Sequence, residues 1–429
     1  MNRTIQPPIQ EINKLKITLP QHTVLTNGIP LHIINAGTQE VVRLDFLFKG
    51  GSWHQQKPLQ ALFTNRMLRE GTNSYSYQEL AEEFDFYGAW LELSSSAEYA
   101  YVSLYSLSKF FEQTLSLLRS IIVEPTFPEE HLRKIVKNST EQFLVNQNRV
   151  DFISHRAFLR TMYGDQHPCG KLVEKEDYLA IQSADLKDFH RRHYHSDNCV
   201  IFLSGKIGTK ETDLVNHYFG ESSFGKTHAE PKKLLFPIQT ATEKRVHVAR
   251  GGSCQQALTM GKFIVGRKHP DFLYTRVLNT LLGGYFGSRL MSNIREDKGY
   301  TYGIGSNLLH YPDSSLLTIS CESDPSFTEK VIQEIYTEID RLQNDLVGEE
   351  ELRMVKNYML GELSRNLESA FSIAEAWMFK YTSELPEDYF NRSLQAIKSC
   401  DSEKIRELAQ QLICKESLKE VIAGKKTVE

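Results

Sequence analysis

A short segment that occurs twice limits the fold of this chain more than any other feature. PEEHLRKIVKN (128–138) returns in the second half as GEEELRMVKN (348–357). The surroundings correspond as well. Ahead of the first copy, AWLELSSS and YAYVSLYSL (89–107) read as paired strands. Phe111, Leu115, Leu118 and Ile122 then fall four, three and four apart, the spacing of one helical face. Pro125 and Pro128 stop that helix, and a long helix runs from about Glu129 to Asn148. Ahead of the second copy, LTISCES (317–323) reads as a strand, and FTEKVIQEIYTEIDRL (327–342) places Ile332, Ile335, Ile339 and Leu342 on one face. A break at Gly348 and another long helix follow. The repeat is far longer than the roughly 20–50 residues of stacked arrays, so it predicts a duplicated α/β domain and not a solenoid. A length of 429 residues agrees with two domains.

The chain opens with a hairpin signal, HTVLTNGIPLHII (22–34), in which Asn27-Gly28 predicts a type I′ turn. VVRLDFLFKGG (41–51) reads as a strand ending at Gly50-Gly51, with helices at about 59–70 and 77–88. Segment 221–245, rich in Gly, Ser, Thr, Pro and mixed charge, is the best linker. Domains over 1–225 and 226–429 follow from it.

Composition narrows the function classes. Charged residues make up 24% and apolar residues 40%, as in a soluble globular protein, and the formal charge of −4 gives no electrostatic case for nucleic acid or an acidic membrane. Cys169, Cys199, Cys254, Cys321, Cys400 and Cys414 are scattered without a C-x-x-C pair, so they read as reduced thiols. No secretory leader and no membrane-length apolar run is readable, which makes a cytoplasmic location the default expectation. No P-loop, G-x-S-x-G elbow or strand-linked G-x-G-x-x-G is present.

Two segments carry the chemistry: ALFTNRMLREGT (61–72) and LLGGYFGSRLMSNIREDKGYTYGIGS (281–306). Together with KGGSW and GDQHPCG they resemble the insulinase family of zinc peptidases, from about Thr23 to about Glu420. That family carries an inverted zinc motif, H-x-x-E-H, in the first segment. With the register set by Met67-Leu68 and Gly71-Thr72, its positions fall on Leu62, Asn65 and Arg66. Leu62 has no ligand atom, Asn65 cannot serve as a general base, and Arg66 carries a permanent positive charge that repels Zn²⁺. The family's distal carboxylate aligns with Glu141, which reads as a solvated helix residue. His190, His193 and His195 in HRRHYHSDN, and His167 in GDQHPCG, read as packing and hydrogen-bonding residues, since isolated motifs of this kind are weak.

In the second segment, Arg295 and Tyr302 keep the spacing of an Arg–Tyr pair with which the family's second half faces the zinc. A Tyr hydroxyl can donate to a tetrahedral intermediate, and an Arg can anchor substrate backbone. Tyr300 is the neighbouring phenol and would share a strand face with Tyr302. The nearby glycines, Gly283, Gly284 and Gly287, would let an extended peptide approach the backbone closely.

The resemblance implies an α+β fold of two homologous sandwich domains, each a mainly antiparallel sheet covered by helices, forming half of a peptidase clamshell. It implies the subunit of a heterodimeric zinc endopeptidase that lacks metal of its own, completing the active site of an H-x-x-E-H partner that holds the zinc. The alternatives of the same fold are an inactive scaffold and a peptide-binding protein.

Overall fold

The computed structural model describes residues 12, 14–15, 17–225 and 236–425. Most of the N-terminal stretch without a readable leader, and the middle of the 221–245 linker, lie outside these residues.

The first half runs β1 (Gln21–Val24), β2 (Pro30–Asn35), β3 (Val41–Phe48), α1 (Gln60–Met67), α2 (Tyr77–Phe86), β4 (Trp90–Ser95), β5 (Ala100–Leu107), α3 (Phe111–Val123), α4 (Glu129–Asn146), α5 (Val150–Tyr163), α6 (Lys175–Ala180), α7 (Ser183–His193), β6 (Cys199–Gly205) and α8 (Thr209–Phe219). The second runs β7 (Arg245–Ala249), β8 (Gln256–Phe263), α9 (Phe272–Asn279), β9 (Thr301–His310), β10 (Ser315–Ser323), α10 (Thr328–Asn344), α11 (Glu349–Arg365), α12 (Ala370–Thr382), α13 (Tyr389–Ser399), α14 (Ser402–Leu412) and β11 (Lys419–Gly424). The first sheet has the order β1-β2-β6-β3-β5-β4, the second β7-β11-β8-β10-β9. Without the β1 arm the two orders match strand for strand. Each sheet has one parallel pair, β2 with β6 and β7 with β11, and is otherwise antiparallel. The duplication read from 128–138 and 348–357 is therefore present in the topology.

Each sheet packs its own helices on one face and a helix from the other half on the opposite face. Val42, Leu44, Phe46 and Phe48 of β3 join the core under α1, α3, α7 and α8. The other face carries Leu47, with Ile34 and Phe202, against Ile373, Trp377 and Met378 of α12. Reciprocally, Phe158, Met162 and Tyr163 of α5 pack on Leu316 and Val421 of the second sheet. Ser154 on α5 donates to the Val421 carbonyl at 3.1 Å and lies 2.8 Å from Thr259 Oγ1. Burying a large apolar side chain of this kind contributes about 1.5–3 kcal/mol, so the exchange ties the halves together.

One turn differs from expectation. β1 and β2 pair with Val24 opposite Pro30, which leaves a five-residue connection. Gly28 N–H donates to Leu25 O at 2.8 Å and has φ +93°, whereas Asn27 does not have a positive φ. A type I′ turn requires positive φ at both central residues. Asn27 is instead held by its side chain, whose Nδ2 donates to Phe219 O at 2.8 Å on the end of α8.

Candidate functional site

Helix α1 follows β3 through Gly50-Gly51 and a single turn at Ser52–His54. Gln60, Ala61, Phe63, Thr64, Asn65 and Met67 are buried. Leu62 and Arg66, one turn apart, occupy the remaining face, half-buried and exposed respectively. Arg66 Nη1 reaches Ser139 Oγ on α4 at 3.4 Å. Asn65 is 1% exposed, and its Nδ2 donates to Tyr101 O at 3.1 Å and Tyr194 Oη at 3.3 Å. Glu141 points to solvent and lies 4.0 Å from Lys137. These residues offer a hydrocarbon, an amide used as a donor and a cation, a set that does not fit zinc. Among the described residues, no group of three or more His, Cys, Asp or Glu is placed to hold a metal ion.

The histidines are placed separately. His190 Nε2 lies 2.8 Å from Ile122 O, with its ring between Phe127 and Tyr194. His193 Nδ1 lies 2.9 Å from Lys49 O, and burial first, then His54, holds its pKa down to about 4. His195 is buried. His167 is fully buried, and its Nδ1 accepts from Cys169 N–H at 3.1 Å. Nε2 therefore carries the proton and donates to Asp313 Oδ2 at 3.0 Å, tying the GDQHPCG turn to the β9–β10 turn of the second half.

Segment 281–306 is built by a distorted helix and an edge strand. Beyond α9 the chain winds as a π-helical turn over Thr280–Gly284 and again over Met291–Asp297, a winding often found at functional sites. Arg289 clamps the segment to Glu351 of α11 through two bonds of 2.8 and 2.9 Å, and Asn293 Nδ2 donates to Glu338 at 2.6 Å. Arg295 lies over the Phe286 ring, 4.8 Å from its centroid, with Glu296 at a loose 3.9 Å. Phe286 is 62% exposed and Tyr302 is 91% exposed. Tyr302 stands on β9, an edge strand of the second sheet.

Tyr300 does not share that face. β9 begins only at Thr301, after Gly299 with φ +65°, and Tyr300 stacks on Phe327 at 4.9 Å and packs against the second core. The glycines also divide. Gly283 is buried, and a Cβ there would lie 2.6 Å from Ser306 N, so its missing side chain makes room for the protein's own β9 and not for a peptide. Gly284 and Gly287 are exposed.

A polar network on β3 leaves its signal in the sequence, where Arg43 and Asp45 interrupt the apolar run of VVRLDFLF. Both are buried, 3.0 Å apart, and Arg43 also reaches Glu375 of α12 at 2.7 Å. Ser103 donates to Asp45 at 2.5 Å. Burial pushes the Asp45 carboxyl above its ordinary range, against the pull of Arg43 and Ser103.

Comparison with known proteins places this architecture. Residues 32–171 match the profile of the insulinase family, peptidase family M16, and residues 180–359 match that of the peptidase M16 inactive domain. An uncharacterized zinc protease, YmxG, of Bacillus subtilis (strain 168) is 27% identical over 350 residues, covering 81% of this chain and 84% of that protein. The crystal structure of a peptidase M16 inactive domain from Pseudomonas fluorescens superposes with a TM-score of 0.84 at 22% identity, over 96% of this chain and 99% of that one. The periplasmic protease PqqL from Escherichia coli superposes with a TM-score of 0.79 at 16% identity, over 99% of this chain but only 48% of the longer protein.

Proposed function

This chain belongs to the insulinase family of peptidases, M16, and on that premise we propose that it is the subunit of a two-chain zinc endopeptidase that holds no metal of its own. The observation that carries the reading is an asymmetry. Leu62, Asn65 and Arg66 supply no zinc ligand, while Tyr302 stands 91% exposed on the edge strand β9 and Arg295, on the turn before it, lies over the Phe286 ring. A partner carrying H-x-x-E-H would supply the metal. Tyr302 would donate its hydroxyl to the oxyanion that forms as a peptide carbonyl is attacked, and Arg295 would hold substrate carbonyls near it. PqqL is about twice as long as the part of it that this chain matches, which leaves length for a second unit of similar size. The substrates of such a chamber are peptides or unfolded segments.

The test is zinc content and peptide cleavage for this chain alone and mixed with an H-x-x-E-H subunit. The isolated chain is expected to bind no stoichiometric zinc and cleave nothing, whereas the pair cleaves. Tyr302→Phe in the pair should lower kcat by about 10²–10³-fold, the cost of one oxyanion donor. It should leave the stability of this chain within about 0.5 kcal/mol, as for other exposed positions. Stoichiometric zinc and activity in the chain alone would overturn the reading. Full activity of the Tyr302→Phe pair would leave only the scaffold role.

A further inference from the structure

A cavity of about 500 Å³ lies where α12 meets α9 and β9, well away from the Arg295–Tyr302 edge. Its polar wall includes His310, eight residues along β9 from Tyr302 and so about 26 Å away at an extended rise. The volume is that of a small-ligand pocket. Phe272, Leu308 and Phe390 give it an apolar wall, and Arg267 and Arg276 line it as well.

The charges in this cavity do not balance. Among the described residues neither arginine has a carboxylate within ion-pair distance. Arg267 donates to Ser383 Oγ at 2.7 Å and lies 4.6 Å from the centroid of the Phe379 ring, and among the described residues Arg276 makes no side-chain hydrogen bond. The one acid lining the cavity, Glu375, is engaged by Arg43 at 2.7 Å. His310 Nδ1 lies 2.8 Å from Ser315 Oγ, and the imidazole is neutral near pH 7. Two further groups have no partner among the described residues. Ser393 is 1% exposed, lines the cavity, and its hydroxyl makes no hydrogen bond. Asn279 Oδ1 is buried there and accepts none. Buried polar groups left without a partner are destabilising, and a ligand that satisfies them gains that difference.

The geometry points to a site for an N-acyl-α-amino carboxylate with an apolar side chain. A carboxylate satisfies the guanidiniums of Arg267 and Arg276 and the Ser393 hydroxyl, an amide N–H supplies the donor that Asn279 Oδ1 lacks, and the side chain takes the apolar wall. A free N-acyl amino acid and the C-terminal residue of a peptide both carry this chemistry. The assignment stands without the peptidase-subunit reading.

The test is calorimetric titration of the full chain with N-acetylphenylalanine, its carboxamide, and a polar ten-residue peptide ending in phenylalanine with a free carboxyl group. The acid should bind with Kd tighter than about 1 mM, and the carboxamide at least about tenfold more weakly, the loss of a charge-assisted pair. Arg276→Met should abolish binding. Arg353→Met, which removes an exposed charge on α11, should leave it unchanged. Binding of the peptide as well identifies a C-terminus as the occupant, and binding of the small acid alone identifies an enclosed metabolite site. Circular dichroism and the melting temperature verify that each variant is folded, with Arg276→Lys as the milder replacement. No binding of the acid, equal binding of the carboxamide, or full binding by folded Arg276→Met overturns the proposal.

Discussion

Replacing Asn65 with Asp tests whether Asn65, which the family resemblance aligns with the general base, is part of the scaffold. Asn65 is 1% exposed, and its amide is the donor for the Tyr101 carbonyl at 3.1 Å and for Tyr194 Oη at 3.3 Å. Aspartate keeps the shape and removes the donor. When protonated, its hydroxyl can still donate to the Tyr101 carbonyl. When ionised, it gives up both donations, turns a lone pair toward the Tyr101 carbonyl oxygen and buries a charge. These effects raise the folded-state pKa of the new carboxyl above the ordinary value near 4. A carboxyl raised in this way binds more protons folded than unfolded, so stability falls as pH rises from about 4 to the folded pKa, by about 1.4 kcal/mol per pH unit. Relative to the parent chain at the same pH, Asn65→Asp should cost about 1 kcal/mol at pH 5 and about 3–4 kcal/mol at pH 8. Urea unfolding at both pH values, followed by fluorescence and circular dichroism, measures this. A cost that is the same at both pH values, or below about 0.5 kcal/mol at pH 8, refutes the assignment of Asn65 as a buried structural donor.

Phe158→Ala on α5 should cost about 3–5 kcal/mol. It should speed amide exchange in β8 and β11 of the second sheet; loosening confined to the first sheet would count against the helix exchange. Arg43→Met should cost about 3–5 kcal/mol by stranding the buried Asp45, and adding Asp45→Val should recover part of that loss. Burial holds His190 down to about 4 from 6.5, partly offset by the Ile122 carbonyl. The folded state therefore resists a proton that the unfolded state accepts. The contribution of His190 is present above about 6.5 and is lost, by up to about 3 kcal/mol, as pH falls to about 4. His190→Gln should flatten that part of the unfolding profile, and an unchanged acid limb would disprove it.

Elements with one buried face were readable from spacing alone. Ile332, Ile335, Ile339 and Leu342 are all buried on α10, as are Phe111, Leu115, Leu118 and Ile122 on α3. The helix exchange was not readable, because periodicity reports which side of a helix is apolar but not which sheet covers it. Helix α12 gives a hint, since Ala370, Ile373, Ala374, Trp377 and Met378 are buried while Ala376, Phe379 and Tyr381 are partly buried around the same core. The Asn27-Gly28 turn was misread for a similar reason: the bond from Asn27 to Phe219 is distant in sequence and overrides the local turn preference. The faces of Tyr300 and Tyr302 depended on where β9 starts, and strand ends are the least certain part of any pattern.

On the proposed reading that Leu62, Asn65 and Arg66 stand at the H-x-x-E-H positions, their placement on α1 explains how metal ligands can be missing from an intact fold. A metal ligand must point away from the core, where the ion and substrate have room. Leu62 and Arg66 are the two residues of α1 that the core does not bury, so replacing imidazoles there changes a surface and leaves the packing of Ala61, Phe63 and Met67 alone. The general-base position, Asn65, is the one that turns inward, and there the replacement carries a cost. The amide found at Asn65 donates to the Tyr101 carbonyl, which a carboxylate could not do. Restoring the motif would therefore need more than three substitutions. Leu62→His and Arg66→His should be tolerated, while Asn65→Glu should destabilise the chain by several kcal/mol unless a bound metal or a change at Tyr194 compensates. Zinc uptake by a stable triple variant with no further change would show that the site persists and that only its ligands are missing.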